Sequence, residues 1–253
     1  MTRKIHFTAS QAEAALMAHE RLMSRYGSVP LNEAEIVVAL GGDGFMLQTL
    51  HAMKGRNLPV YGMNRGTVGF LMNSFDEDGL HERLDRAEET VINPLRMRAT
   101  CGDGICHEAL AINEVSLLRQ GPQAAKLRIS VDGRLRMEEL VCDGALVATP
   151  AGSTAYNYSA HGPILPIGSE VLALTAIAPF RPRRWRGALI PKVARVTIEV
   201  LNPARRPVMA DADSRSVRDV IKVDIESVPT IAHRLLFDDG HGLDERLLRE
   251  QFV

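Results

Sequence analysis

The first third of the chain alternates between two periods of apolar residues. KIHFTAS (4–10) has the short apolar stretch and polar exit of a strand. In QAEAALMAHERLMSRYG, residues Ala15, Leu16, His19, Leu22, Met23 and Tyr26 recur at helical spacing before Gly27 stops the helix. Ser10 with Glu13 makes a capping-box pattern at its start. EIVVAL (35–40) is apolar without interruption, the pattern of a strand covered on both faces. A glycine turn follows, then FMLQTLHAMKGR as a helix and LPVYGMN (58–64) as a further strand. Strand–helix–strand repetition at this length predicts a parallel α/β sheet.

The pattern changes after about residue 93, where Asn93-Pro94 breaks the chain and long helical periodicity stops. RMRATCGDGICHEALAINEVSLLR predicts two strands around the Gly-Asp-Gly turn at 102–104. KLRISVDGRLRMEELVCDGALVATP predicts a hairpin turning at Asp132-Gly133 and then another strand. VARVTIEVLN and VIKVDIES predict further strands, and DERLLREQFV returns to helical spacing and is expected to pack back onto the first domain. The expected division is an α/β domain over residues 1–93 plus the tail 233–253, and a mainly β domain over 94–232. No internal repeat or low-complexity segment interrupts it.

Composition narrows the class. With 253 residues, 45% hydrophobic and 24% charged, the chain has the make-up of a soluble globular enzyme. A net charge of −1 gives no global electrostatic case for nucleic acid or an anionic membrane. MTRKIHFTAS lacks the apolar core of a signal peptide, and no run approaches the ~18 apolar residues of a spanning helix. Cys101, Cys106 and Cys142 are odd in number and sparse, so a reduced, cytoplasmic protein without a disulfide framework is expected.

Four stretches carry candidate chemistry. VALGGDGFMLQTLH (38–51) sets Asp43 in a glycine turn that matches neither GxGxxG nor GxxxxGK[ST]. A turn at the carboxyl end of a buried strand is nevertheless where open α/β sheets bind ligands. There, glycine N–H groups can hold phosphate oxygens while one carboxylate faces Mg²⁺ or an attacking hydroxyl, as phosphoryl transfer requires. The alternative is a tight turn with a solvated aspartate. YGMNRGTVGFLMN (61–73) places Gly62, Gly66 and Gly69 around Asn64; it is either turn geometry or a second wall of the same cleft, with Phe70 offering its surface to a base. In AINEVSL (111–117), Asn113 and Glu114 interrupt an apolar strand, as edge polarity or as a ribose contact. DGALVATPAGSTAYNYSAHGPILP (143–166) runs from a strand through Pro150 and Gly152 into Ser153, Thr154, Tyr156, Asn157 and Ser159, a hydroxyl-rich turn entering a helix.

Weaker signals lie elsewhere. FRPRRWRG (180–187) is a local basic-aromatic cluster, read as a subunit contact or a handle on substrate phosphates in preference to a nucleic-acid site. Cys101, Cys106 and His107 lack the second ligand pair of a metal site. His19 and His51 fall on helical stretches as packed or solvated residues.

Together the four stretches resemble the NAD kinase family. LGGDGFML is similar to its GGDG motif, GMNRGTVGFL to its GxNxGxxGF segment, INEV to its NE motif and DGALVATPAGSTAYNYS to its DG…TPxGSTAYN block, in the family's order over roughly residues 35–190. The resemblance implies an enzyme that phosphorylates the 2′-hydroxyl of NAD's adenosine ribose to give NADP, with ATP or polyphosphate as donor and a divalent metal such as Mg²⁺. It implies a Rossmann-like α/β domain, then a C-terminal β-sandwich domain with the site between them, in a homo-oligomer, dimer or tetramer. NAD and ATP are the implied partners, with no nucleic acid and no membrane.

Carried onto this chain, the resemblance makes Asp43 the catalytic base and Gly44 its backbone partner near phosphate. Phe70 lines the site, Asn113 and Glu114 hold the nucleoside, and Asp143 binds a polar group of the dinucleotide. Thr154, Ala155, Tyr156, Asn157 and Ser159 form the adenosine pocket, and Ala178 reaches a neighbouring subunit's site. Asp213 matches a further family aspartate, with Asp211 close enough to leave that choice open. Val141 stands where an arginine is common, Ala151 where some members offer a hydroxyl, and Ala160-His161 where a Gly-Gly pair is common. The rivals are a lipid or sugar kinase with the same turn, and a dinucleotide-binding module without turnover.

Overall fold

In the computed structural model, which describes residues 3–183, 185–250 and 252 (249 and 250 by backbone alone), the chain divides into two compact units. Met1–Ile92 with Ile231–Val253 forms one, and Asn93–Thr230 the other.

The first unit begins with β1 (Ile5–Ala9), α1 (Glu13–Tyr26), β2 (Ile36–Gly41), α2 (Asp43–Ala52), β3 (Val60–Asn64), α3 (Leu80–Arg86) and β4 (Glu88–Ile92). β2 lies between β1 and β3, parallel to both, and all its residues are buried, as its unbroken apolar run requires. The capping box at the start of α1 does not form. Ala12 is the N-cap without a side-chain bond, and the Ser10 N–H donates to the Leu40 carbonyl at 2.9 Å. At residue 10 the chain is therefore still bonded to β2, too early to cap a helix.

The second unit contains β5 (Leu95–Cys101), β6 (Cys106–Ala111), β7 (Glu114–Arg119), β8 (Ala125–Val131), β9 (Arg134–Cys142) and β10 (Gly144–Ala148). The single turn α4 (Tyr156–Ser159) follows, then β11 (Val171–Ile177), β12 (Gly187–Pro191), β13 (Val196–Val200), β14 (Val208–Ala212), β15 (Arg215–Val217) and β16 (Val220–Ser227). They form two antiparallel six-stranded sheets, ordered β12-β11-β10-β7-β14-β15 and β6-β5-β16-β13-β8-β9. One core takes Met97, Ile129 and Ile198 from one sheet and Leu117, Val147 and Leu174 from the other, which makes the unit a β-sandwich. Residues 96–119 hold three strands where two were expected. The apolar run ALAINEVSLL conceals a change of sheet: β6 pairs with β5, and β7 pairs with β10 and β14.

The chain then returns to the first unit as β17 (His233–Phe237), parallel to β3 and antiparallel to β4, and ends in α5 (Leu243–Glu250). The sheet order is β1-β2-β3-β17-β4, a parallel Rossmann-like sheet with one antiparallel edge. The helical spacing of the tail gave no warning of β17, a run of only five residues before the Asp-Asp-Gly turn at 238–240.

The spacing of β7 and β10 depends on an absent side chain. A Cβ at Gly144 would lie 2.1 Å from the Leu117 carbonyl oxygen, which belongs to a paired strand and cannot swing aside. Gly144→Ala is expected to cost about 1–3 kcal/mol in denaturant titrations. Gly168→Ala, whose Cβ meets nothing within 4 Å, should shift the same titration by less than about 1 kcal/mol.

Candidate functional site

In the first unit, β2 delivers the chain into Gly42, the extended N-cap of α2, which carries no side-chain cap. The first N–H groups of α2 therefore lack the usual side-chain acceptor, which leaves a helix terminus suited to an anion. Asp43 opens the helix, and its carboxylate turns to the second glycine loop. Oδ2 accepts from the N–H groups of Gly69 (3.0 Å) and Phe70 (2.9 Å), and Oδ1 from Leu71 (2.7 Å). A carboxylate offers about four lone-pair positions, so one acceptor position on Oδ1 stays open. The two glycine stretches thus form one assembly, and the aspartate in the glycine turn is its fastener.

Asn64 supports that loop, accepting from Gly66 N–H at 2.8 Å and donating to the Val68 carbonyl at 3.2 Å. Asn73, fully buried, donates to the carbonyls of Gly62 and Leu236 at 3.0 Å each and accepts from Asp238 N–H at 2.9 Å. Phe70 is half-buried and lines a cavity of about 380 Å³ with Asn64, Met72, Asn73 and Arg246. Gly44 is exposed and has open space beside it. Sequence reading gave no role to Asn73, the last residue of the glycine-bearing stretch, or to Arg246, which lies far from it in the chain.

In the second unit, the crossing between β6 and β7 leaves Ile112 and Asn113 outside both ladders. Their N–H groups donate to Asp213, to Oδ2 at 2.7 Å and Oδ1 at 3.0 Å. Asp211 instead accepts from the Ser216 hydroxyl within its own hairpin, so Asp213 is the aspartate that touches the Asn-Glu stretch. The end of β10 closes on the same crossing. Thr149 N–H donates to the Asn113 carbonyl (2.9 Å), its hydroxyl to the Ile112 carbonyl (2.7 Å), and that hydroxyl accepts from Gly152 N–H (3.0 Å). A Cβ at Gly152 would sit 2.2 Å from the Asn113 carbonyl oxygen, so this approach requires glycine.

Residues 113–114 and 149–156 are thereby brought together. Burial, and then the nearby Asp213 carboxylate, push Glu114 up to about 7, against a lowering hydrogen bond from the Tyr156 backbone. Its Oε2 is buried with no partner. Tyr156 is half-buried, and its phenol is raised by burial and then by the charges of Glu114, Asp143 and Asp211. Asp143 pairs with Arg119, whose Nε lies 2.5 Å from Oδ1. The charge partner that Val141 does not supply comes from the neighbouring strand, a juxtaposition that only the β7–β10 register reveals.

The remaining expected residues divide. Asn157 is fully buried; its amide donates to the carbonyls of Ser153 and Pro163 and accepts from the Thr175 hydroxyl at 2.6 Å. Its side chain is thus engaged within the protein. Thr154 and Ala155 are half-buried, and Ser159 is exposed. Ala178 is exposed with a φ of 46°, one residue past Ile177, whose carbonyl takes the Asp143 N–H.

Comparison with known proteins decides what this geometry belongs to. Residues 8–91 match the ATP-NAD kinase N-terminal domain and residues 112–233 the ATP-NAD kinase C-terminal domain. The chain is 68% identical over 251 residues to an NAD kinase of Cereibacter sphaeroides, covering 99% of each chain, and 59% identical over 250 residues to one of Hyphomonas neptunium, covering 99% and 98%. The chain belongs to the NAD kinase family. Among solved structures, a yeast NADH kinase complexed with NADH has a TM-score of 0.84 at 20% identity, covering 99% of this chain and 87% of that one. An NAD kinase from Archaeoglobus fulgidus in complex with ATP has a TM-score of 0.75 at 25% identity, covering 98% and 97%.

As an enzyme of the NAD kinase family, the chain keeps its glycine turn, Asn-Glu pair and TPAGSTAYN block in the positions just described. Among the described residues no group of three His, Cys, Asp or Glu could hold a metal ion, and no helix is long and apolar enough to cross a membrane. Cys101, Cys106 and Cys142 are free thiols. In the arginine-rich stretch, Trp185 packs against the sandwich core and Arg183 stacks 5.3 Å from the Phe180 ring, while Arg184 lies outside the described residues.

Glu114 gives a pH prediction. Its folded carboxyl, at about 7 against an ordinary 4.5, keeps its proton where an unfolded one has lost it. Ionising it in the folded chain costs stability as pH rises through that window, at most about 3 kcal/mol. Relative to Glu114→Gln, the wild type should lose about 1–3 kcal/mol of unfolding free energy between about pH 5 and 8. Parallel pH dependence in the two proteins would show that Glu114 ionises normally.

Proposed function

We propose that this enzyme transfers the terminal phosphoryl group of ATP to the 2′-hydroxyl of the adenosine ribose of NAD, giving NADP and ADP. The observation that carries this reading is the 68% identity, over nearly the whole of both chains, to a relative named NAD kinase. In this reading the α/β domain supplies phosphate handling and proton transfer, and the β-sandwich domain holds the nucleoside.

Asp43 is the base. The open position on Oδ1 accepts the 2′-hydroxyl proton as the new O–P bond forms, and the electron pair of the broken O–P bond leaves with ADP. Gly44 and the neighbouring N–H groups at the start of α2 face phosphate oxygens. Mg²⁺ enters with ATP as part of that substrate, since the described residues offer no cage of their own and Mg²⁺ is commonly held by one or two carboxylates plus phosphates. It neutralises charge on the phosphates.

Asn113 and Glu114 take the ribose hydroxyls. The unpartnered Oε2 of Glu114 is a buried acceptor that a hydroxyl donor satisfies. Asp143 binds a polar group of the dinucleotide. Thr154, Ala155, Tyr156 and Ser159 line the adenosine pocket, Asn157 keeps that turn in shape, and Phe70 offers its surface to a base. Ala178 faces a neighbouring subunit in a dimer or tetramer, and the enzyme works in the cytoplasm.

Incubation with NAD⁺, ATP and Mg²⁺, read with an NADP-specific dehydrogenase, should yield NADP⁺. NAD with a 2′-deoxy adenosine ribose should bind and yield nothing; product phosphorylated on the nicotinamide ribose would sink the assignment. Replacing ATP with polyphosphate in the same assay identifies the donor.

Asp43→Asn removes the charge and turns an amide N–H toward backbone donors now bonded to carboxylate oxygens. Turnover should fall by about 10²–10⁴-fold, with NAD affinity changed far less. Titrating the metal separates the roles: loss of a metal ligand raises the metal requirement, and loss of a base does not. A variant that keeps more than about a tenth of wild-type kcat at saturating metal contradicts the assigned base.

A further inference from the structure

The loop that Asp43 holds by its N–H groups is held from the opposite side by its carbonyls. Nη1 of Arg246, on α5, donates to the carbonyls of Gly69 (3.2 Å), Phe70 (3.1 Å) and Met72, and Nη2 to Asn73 Oδ1 (3.4 Å). Nε donates to the His241 carbonyl at 3.0 Å. The guanidinium lies 5.0 Å from the ring centroid of Phe237, a fully buried residue of β17. Leu243 and Leu247, three residues before and one after, are buried and fix the helix.

Two peptide groups are gripped at both ends. The peptide joining Gly69 to Phe70 accepts from Arg246 through its carbonyl and donates to Asp43 Oδ2 through its N–H. The next peptide, from Phe70 to Leu71, accepts from Arg246 and donates to Asp43 Oδ1. A cation and an anion joined through two parallel peptide groups polarise both, and each bond strengthens the others. Without the cation, either peptide can rotate and carry the Asp43 oxygens with it.

We infer that Arg246 is a positioning residue: through the Gly69–Phe70 and Phe70–Leu71 peptides it sets the orientation of the Asp43 carboxylate, coupling the C-terminal helix to the chemistry of the glycine turn. The inference rests on the reading of Asp43 as the base. Nη1 shares its two N–H groups among the three loop carbonyls while Nη2 and Nε hold Asn73 and His241; a lysine ammonium, a single nitrogen with three donors on a shorter stem, cannot meet all five acceptors.

The test compares wild type, Arg246→Ala and Arg246→Lys by amide hydrogen exchange, steady-state kinetics and thermal unfolding. In both variants the amides of Gly69, Phe70 and Leu71 should exchange about tenfold faster or more, while those of β2 keep their wild-type protection. The kcat for NADP formation should fall about 10- to 100-fold, with KM for NAD and ATP little changed. Methylguanidinium added below denaturing concentration should raise the kcat of Arg246→Ala and leave Arg246→Lys unaffected.

Unchanged exchange at 69–71 in either folded variant overturns the inference, as does faster exchange spread evenly over the unit, which marks a general loss of stability. If Arg246→Ala does not fold, Arg246→Lys decides: wild-type exchange and kcat in that variant overturn the inference. A wild-type chain that makes no NADP would defeat the proposed activity instead, and the exchange result would still decide whether Arg246 holds the loop.

Discussion

Three backbone N–H groups in a row, at Gly69, Phe70 and Leu71, point at one carboxylate. That constraint organises the first unit. A glycine-rich loop leaving the end of a strand has no ladder to satisfy its amides, and glycine offers no side chain of its own to help. Asp43 is 26 residues or more away in sequence but is placed at the end of the neighbouring parallel strand, and it supplies the missing acceptor. The negative charge that would repel a phosphate is occupied by donors, so the helix terminus beside it remains available to an anion. Asn64 and Asn73 complete the loop by the same logic, one from inside it and one from the buried side of the sheet.

The second unit solves an equivalent problem where its chain changes sheet. Ile112 and Asn113 leave one ladder before joining another, and Asp213 accepts both of their N–H groups. Thr149 and Gly152 then bring the end of β10 against the crossing, close enough that no side chain fits at 152. The cost is electrostatic. Asp213 is needed as an acceptor, so Glu114 is buried beside a second carboxylate and is pushed toward neutrality.

Much of the fold was legible because its signals are local. The unbroken apolar run of β2, the helical spacing after it and the Asp132-Gly133 hairpin are each written within a few residues. Two features were not. The stretch across 109–118 reads as one strand because the polar Asn113-Glu114 pair at the crossing has the same look as edge polarity within a continuous strand. β17 was hidden because a strand inserted between β3 and β4 depends on partners about 175 and 145 residues earlier in the chain. The motif residues of the site stood out by composition, but their partners did not. Arg119 beside Asp143, and Arg246 beyond the glycine loop, are ordinary surface-type residues until the fold brings them in.

Within a single motif, hydrogen-bond accounting separates scaffold from recognition. Asn157 and Ser153 sit in the block that first suggested a ligand pocket, yet every polar atom of the Asn157 amide has a partner inside the protein, and the Ser153 hydroxyl both donates and accepts there. A ligand gains nothing from groups already satisfied, because it would have to break a bond to make one. Glu114 keeps a buried oxygen without a partner, and Asp43 keeps one acceptor position outside its three amide bonds. The buried Glu114 oxygen carries an energetic cost that a correctly placed hydrogen-bond donor removes. Within the second unit the fully bonded Asn157 and Ser153 side chains therefore shape the turn after β10, and the Glu114 carboxyl is the group there with a bond left to make.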